Sequence, residues 1–504
     1  MYICLPKREV KQLDISKILA AGAASAMTTE QIIKMEIDSW KKSDELRWMV
    51  TGQKYYEGDH DILKRKRLVI GMDGQQVEDK NLANNKLVHS IVRKLVDQKV
   101  GYLLSKPISI QAKNNTYDEA LRGIFDKGFL RLMKNIGKDA INKGRGWLQV
   151  YYDENKLAFK RLPPNEVIPL WKDAAHTQLD AIIRVYEVET YEGTTKKIVT
   201  KVEFWNHEGV RRYVMGTGDS TLNTSAGLLP DVEAGDVDSH FSVVDADGKE
   251  RHYNWERVPF VCFKYNDEEQ PLIKFIKSLV DDYDLQTSDN SNNLTDLPNS
   301  IYVLKEYDDE DLAKFRQNLA AYRAVKVTGG GGVDTLNLEI NTEAMKNHLE
   351  LLRKDIYEFG RGVDTQATDL GSSPSGISLK FLYADLDMDA NIIETEFQAS
   401  LEQLLWFIDQ HLNNSGIGDF SNEDVEIIFN RDILINETDA ITNAKNSVGI
   451  ISDETIVANH PWVTNTKDEM KRMEKQREAE TADPYEEISR DPNREQPFDG
   501  VGAT

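Results

Sequence analysis

Cysteine is nearly missing from this chain, with Cys4 and Cys262 the only two in 504 residues. Far apart in sequence, they build neither a disulfide framework nor a CxxC metal or redox motif. A reducing setting is expected, the cytoplasm in which the chain is made. The nine histidines are scattered, and no two stand at the i, i+4 spacing that would pair imidazoles on one helical face for zinc. No GxxxxGK[ST] loop is present to cradle a nucleotide phosphate. No GxSxG nucleophile elbow is present either. Apolar runs fall short of the ~18 residues that a membrane span needs. Positive charge is also scarce: 62 Lys and Arg against 85 Asp and Glu leave a net charge of −23. That balance excludes a protein that wraps nucleic acid, because tight phosphate binding needs a positive surface. It still permits one past which nucleic acid moves without sticking. At the N-terminus Lys7, Arg8, Lys11 and Lys17 precede a weakly apolar run from Ile18 to Met27, the order of a secretory signal. Asp14 interrupts it and alanine dominates the run, so a surface arm is the expectation.

What the chain does have is enough apolar residue, 40%, for real cores, with 29% charged residues for the surface. Its length suits about three domains of ~150 residues. A helix is expected over Thr29–Val50, then one with Leu87, Ile91 and Leu95 beside Val88, Val92 and Val96 on a broad apolar face, stopped by Gly101 and Pro107. Another runs from Tyr117 to Asn142 and ends at Gly144. From Trp147 the period becomes two: Trp147–Tyr152 and Leu157–Leu162 read as a hairpin. Strands Ala181–Thr190, Lys197–Trp205, Arg212–Met215 and Val258–Tyr265 follow, with 216–250 a surface excursion. Pro271 opens a helix whose apolar face is Leu272, Phe275, Ile276, Leu279, Val280 and Tyr283, reaching to Leu294. A small α/β module covers Ser300–Ile340, and a second helix runs Asn341–Phe359. Two long helices thus bracket a module, which suggests an antiparallel pair carrying it at the tip. Residues 360–376 are rich in Gly, Ser and Thr and short of large apolar groups, so they are expected to pack no core. An uninterrupted helix runs from Gly376 to about Asn413. Strand Val425–Phe429 and helices near Thr438–Val448, Asp453–Ala458 and Lys467–Glu480 lead to an acidic tail expected to be disordered.

Three motifs imitate chemistry. Gly329–Gly332 lacks the Lys-Ser/Thr of a phosphate loop and precedes a strand, so it reads as a turn. Asp385, Asp387, Asp389 and Glu396 fall at calcium-loop positions, but Ala390 stands where the loop's turn wants glycine. A helix there would point these acids to different sides. Lys64-Arg-Lys-Arg67 is the densest basic run, and in so acidic a chain it reads as a solvated or subunit-pairing surface. No catalytic residue, metal site or cofactor is expected.

Several segments in order resemble the portal proteins of tailed bacteriophages, of the type found in long-tailed phages of Gram-positive hosts. They are Gly52–Arg67, Lys86–Pro107, the Trp147–Trp171 strands with Leu162-Pro-Pro-Asn-Glu-Val-Ile168, and the block Ser300–Phe381. Within that block Ile301–Tyr307, Val325–Leu336 and the helix–loop–helix that follows have the family's order and spacing. The resemblance spans roughly residues 30 to 465.

The resemblance implies an α+β portal fold assembled as a dodecameric ring around a channel for double-stranded DNA. Residues 1–27 would be an N-terminal arm, 28–265 with 377–435 the wing, and 271–294 and 341–359 the stem helices. Residues 295–340 would be the clip that meets terminase and later the head-completion adaptor, with Arg316, Arg323 and Lys326 as its contact residues. Residues 360–376 would be the tunnel loop, 436–480 the crown, and 481–504 the tail. Arg361, Asp364, Thr365, Gln366, Thr368, Ser372 and Ser373 would face DNA, with Arg361 the loop's one cation. Asp281, Asp282 and Asp284 would line the stem and repel phosphate, lowering friction. Scaffold and major capsid proteins would surround the ring in the virion, with no membrane involved. Two other readings, a DNA-packaging enzyme such as a terminase or nuclease and a channel-less virion scaffold, stay open at this point.

Overall fold

The computed structural model describes residues 28–70, 74–78, 83–215, 227–231, 238–244, 249–295, 300–305, 332–337, 342–366, 376–431, 437–463 and 465–481. Helix α1 (Thr29–Lys41) starts at a reciprocal cap between Thr28 and Gln31. The expected helix to Val50 is two helices, because the Ser43 side chain accepts the Leu46 N–H and starts α2 (Asp44–Glu57), which Gly58 ends in the left-handed conformation. A 3₁₀ turn at Asp61–Lys64 and a small ribbon, β1 (Leu68–Ile70) with β2 (Gln76–Glu78), lead to α3 (Ile91–Leu104). After β3 (Ser109–Ala112), the expected Tyr117–Asn142 helix is again divided. Asn114 caps α4 (Asn115–Ile124) and Asp126 caps α5 (Lys127–Lys143). Short polar side chains at helix starts decide both breaks.

Strands β4 (Arg145–Asp153) and β5 (Lys156–Leu162) form the expected hairpin. Its turn residues Glu154 and Asn155 have φ of 46° and 64°, the positive pair that a two-residue hairpin turn needs. Then come β6 (Val167–Trp171), β7 (Leu179–Glu192), β8 (Thr195–Asn206), β9 (Gly209–Met215) and β10 (Leu228–Pro230), an antiparallel sheet in the order β10-β9-β8-β7-β6. Part of the excursion expected at 216–250 is itself ordered. Strands β11 (Phe241–Val244) and β12 (Glu250–Tyr253) pair, and Phe241 packs on Tyr152 and Trp255. Strand β13 (Phe260–Lys264) joins the first hairpin in the order β13-β4-β5.

Helix α6 (Ile273–Thr295) leads to a ribbon of β14 (Ser300–Lys305) and β15 (Gly332–Asn337), and α7 (Thr342–Phe359) returns. Helix α8 (Gly376–Asn414) crosses the body, and β16 (Val425–Ile428) pairs with β3. Helices α9 (Glu437–Ser447), α10 (Asp453–Ala458) and α11 (Thr466–Thr481) complete the order. Among the described residues no helix is long and apolar enough to cross a membrane.

The main core lies where α3, α5 and α8 meet β4 and β13. Leu95, Met133, Leu148, Phe263, Phe397 and Ile408 are all buried there. Gly52 of α2 lies against the Asn142 carbonyl so closely that a Cβ has no room. A second core forms between α1 and the five-stranded sheet, through Ile33, Ile37, Ile183 and Phe204.

Candidate functional site

Helices α6 and α7 run antiparallel. His348 Nε2 is 3.2 Å from Asp282 Oδ2 near the middle of α6, and Gly360 lies against Ile276 at the proximal end. Because β14 follows α6 and β15 precedes α7, the ribbon sits at the tip of the pair, the arrangement expected from the order of elements.

The buried face of α6 changes chemistry along its length. Ile273, Ile276 and Val280 are succeeded at the same spacing by Asp284, Ser288 and Asn292. The polar half is covered by an extended strap, residues 60–67 and 83–90. Asp284 accepts from His60 Nδ1 at 2.5 Å, and from His89 Nδ1 and the His89 N–H at 2.9 Å each. Burial pushes the Asp284 carboxyl up, but these hydrogen bonds outweigh it and hold the group below the usual carboxylate range. Ser288 Oγ accepts the Leu87 N–H at 3.0 Å, and Asn292 Oδ1 accepts the Asn85 N–H at 2.6 Å. Arg65 reaches Asp289 through both guanidinium nitrogens, at 2.8 and 3.1 Å. Lys277 donates to Asp61 at 2.7 Å and to Asp281 at 2.6 Å.

This seam corrects the assignment of Asp284 to a channel wall. Its side chain is 1% exposed and serves the strap, so it can present no charge to DNA. Asp281 and Asp282 point elsewhere: Asp281 toward Tyr55 and Lys277, Asp282 toward His348 on α7. The basic run at 64–67 is likewise occupied within the chain. Lys64 pairs with Asp61, Arg65 with Asp289 and Lys66 with Glu78, while Arg67 donates to the Ala83 carbonyl.

The segment after α7 is pinned where it begins, contrary to the expectation that it packs no core. Val363 is 1% exposed in the main core, and Gln98 of α3 clamps its backbone, accepting its N–H at 2.9 Å and donating to its carbonyl at 3.1 Å. Asp364 receives a two-pronged contact from Arg353 at 2.6 and 2.8 Å, which holds its carboxyl below the usual range. Gln366 Oε1 accepts from the same Arg353, and Thr365 Oγ1 accepts from Lys94 at 3.4 Å. Arg361 turns its guanidinium to Asp389, 3.5 Å away, and its carbonyl accepts from buried Lys99 at 3.0 Å. Lys99 in turn pairs with Asp389 at 2.6 Å, and Tyr265 donates to the same carboxylate. Thr368, Ser372 and Ser373 lie outside the described residues, as do Arg316, Arg323 and Lys326, the N-terminal arm and nearly all of the acidic tail.

On α8 two acids of the calcium-like run diverge: Asp389 points inward to Lys99, while Asp387 turns to Arg431. Among the described residues no group of three or more His, Cys, Asp or Glu could hold a metal ion. The residues of this seam and anchor that sequence reasoning missed are His60, His89, Gln98 and Arg353; the first three meet partners about two hundred positions or more away, and Arg353 meets Asp364 and Gln366 across the end of α7.

A family model described as phage portal protein, SPP1 Gp6-like, matches residues 41–483. The chain is 30% identical over 435 residues to the portal protein of Bacillus phage SPP1, covering 85% of this chain and 83% of that one. It is 28% identical over 473 residues to the portal protein of Clostridium phage phiCD119, covering 90% and 94%. Among solved structures, the neck of a native GTA particle computed with C12 symmetry aligns with a TM-score of 0.37 and 10% identity, over 73% of this chain and 88% of that chain. The α+β chain is therefore a structural, non-enzymatic phage component. It belongs to the SPP1 Gp6-like family of phage portal proteins.

Proposed function

We propose that copies of this chain close into a dodecameric ring at one capsid vertex, through which double-stranded DNA is packaged and ejected without sequence specificity. The observation that carries this reading is the antiparallel pair α6–α7 with the β14–β15 ribbon at its tip, in a chain of the portal family. Such a hairpin, repeated around an axis, makes a tube with a docking rim. The body from residue 28 to 265, with 377–435, is the wing outside that tube, and 436–480 is the crown.

The rim, residues 295–340, is the docking site for terminase and then for the head-completion adaptor, with Arg316, Arg323 and Lys326 as contacts. Scaffold and major capsid proteins hold the wing. Within the loop after α7, residues 361–366 serve as the anchor, and Thr368, Ser372 and Ser373 face DNA. The net charge of −23 suits a conduit that releases phosphate rather than grips it. The chain is made in the host cytoplasm and ends in the virion.

Electron microscopy of the purified protein, viewed down the particle axis, tests the reading. Rings of about a dozen subunits with an open centre are expected. A closed particle with no channel would contradict it and favour the scaffold alternative.

A further inference from the structure

The strap and α6 share a buried histidine–aspartate pair that none of the roles above uses. His60 is fully buried, and both of its ring nitrogens face acceptors: Nδ1 is 2.5 Å from Asp284 Oδ2, and Nε2 is 3.1 Å from the Tyr55 carbonyl. A neutral imidazole has one N–H and one lone pair, so it can donate to only one of them. The doubly protonated ring donates to both. His240 shows the contrast within the same chain. Its Nε2 donates to the Asn206 carbonyl at 2.7 Å while Nδ1 accepts the Trp255 N–H at 2.9 Å, the pattern of a neutral ring.

The charges around His60 are accounted for. Asp284 supplies the counter-anion and also receives His89. Tyr55 of α2 stacks on His60 with ring centroids 4.4 Å apart, and Tyr283 of α6 meets His89 edge-on at 4.8 Å. Two turns toward the helix start, Lys277 is shared by Asp61 and Asp281; just over one turn beyond, Arg65 holds Asp289. From α7, His348 faces Asp282. Among the described residues, Asp284 is thus the one anion hydrogen-bonded to His60.

We propose that His60 and Asp284 form a proton-dependent latch that clamps the strap onto α6. With both protons on the ring, strap, helix and the end of α2 are tied at one point. When rising pH removes one proton, either the Tyr55 carbonyl or the Asp284 carboxylate loses its donor, and a buried acceptor left unpaired destabilises the closed seam. The clamp therefore contributes fully where the imidazole is charged and is lost as it becomes neutral. Acid opens the seam only below the ordinary carboxylate range, because Asp284 must be protonated first. The latch rests on the geometry of one chain and does not depend on ring formation.

Deuterium exchange at the imidazole C2 position, read by mass spectrometry of each histidine-bearing peptide, reports the protonation of individual histidines in the full-length protein. His60 should still carry its second proton at a pH where His240 is neutral. In Asp284→Asn, His60 should be neutral at that pH. Trypsin cleavage at Lys64–Arg67, normalised to a strap peptide, should rise roughly tenfold across the pH at which the same exchange shows His60 losing its second proton. A wild-type His60 that loses its second proton together with His240 overturns the proposal, as does pH-independent cleavage. So does a His60 that stays charged in Asp284→Asn. Should that variant not fold, the wild-type titration decides alone.

Discussion

Phe397 on α8 and Asp284 on α6 are both fully buried, yet what surrounds them differs in kind. Phe397 meets Phe263 edge-on with centroids 5.2 Å apart and sits in a continuous apolar core. Asp284 sits in a line of hydrogen bonds to histidines and backbone N–H groups. Apolar burial contributes about 1.5–3 kcal/mol for a side chain such as Phe and is indifferent to direction. A buried polar contact adds less net stability, about 1 kcal/mol, but demands one geometry and penalises any other. The body is therefore held together by its core. That core includes Ile273, Ile276 and Val280 of α6 and Ile356 of α7, and only the distal half of α6, from Asp284 on, is attached to the strap by a seam that fixes register more than it adds stability.

That contrast predicts unequal responses. Phe397→Ala should cost about 3–5 kcal/mol and lower the denaturant midpoint of the whole chain. If the loss were confined to α6 and the strap, the division between the two regions would be wrong. A smaller global effect should follow acidification. Burial pushes the Glu269 carboxyl up, but the hydrogen bond from His176 and the charges of Arg145 and Lys264 prevail and bring it to about 2. Its stabilisation, on the order of 3 kcal/mol, is present above the ordinary Glu value of 4.5 and lost as pH falls from there toward about 2. Urea unfolding at two pH values within that window, compared with Glu269→Gln, measures it; equal pH slopes in both proteins would refute it. The smallest effect belongs to the seam. Ser288→Ala removes the acceptor for the Leu87 N–H and should cost about 1 kcal/mol, felt in the strap and α6 alone. Differential protease sensitivity checks this, and a uniform loss across the chain would count against a separate seam.

Much of the architecture was legible because period and punctuation are local. The change from helical to alternating pattern at Trp147, the turn at Glu154-Asn155 and the helix end at Gly144 stand where backbone chemistry demands them. The two split helices were missed for the same kind of local cause, since Ser43 and Asp126 act through single cap hydrogen bonds that an apolar periodicity does not register. The site was less legible. Reading α6 by its apolar residues ended its buried face at Tyr283 and left the acids to a channel. The buried stripe in fact continues through Asp284, Ser288 and Asn292, polar groups that can be buried only because His60, Asn85, Leu87 and His89 bring partners from about two hundred positions away. Val363 was lost similarly, because one valine in a Gly- and Thr-rich stretch becomes core only through the clamp from Gln98.

Native-state amide hydrogen exchange of the full chain tests the attachment of distal α6 most directly. The amides of the distal half of α6, from Asp284 on, should exchange through an opening of lower free energy than those of α3 and α8, and Ser288→Ala should lower the first value while leaving the others unchanged. Exchange of that half of α6 together with α3 and α8 through one shared global opening, shifted equally by Ser288→Ala, would contradict a distal α6 held by a polar seam.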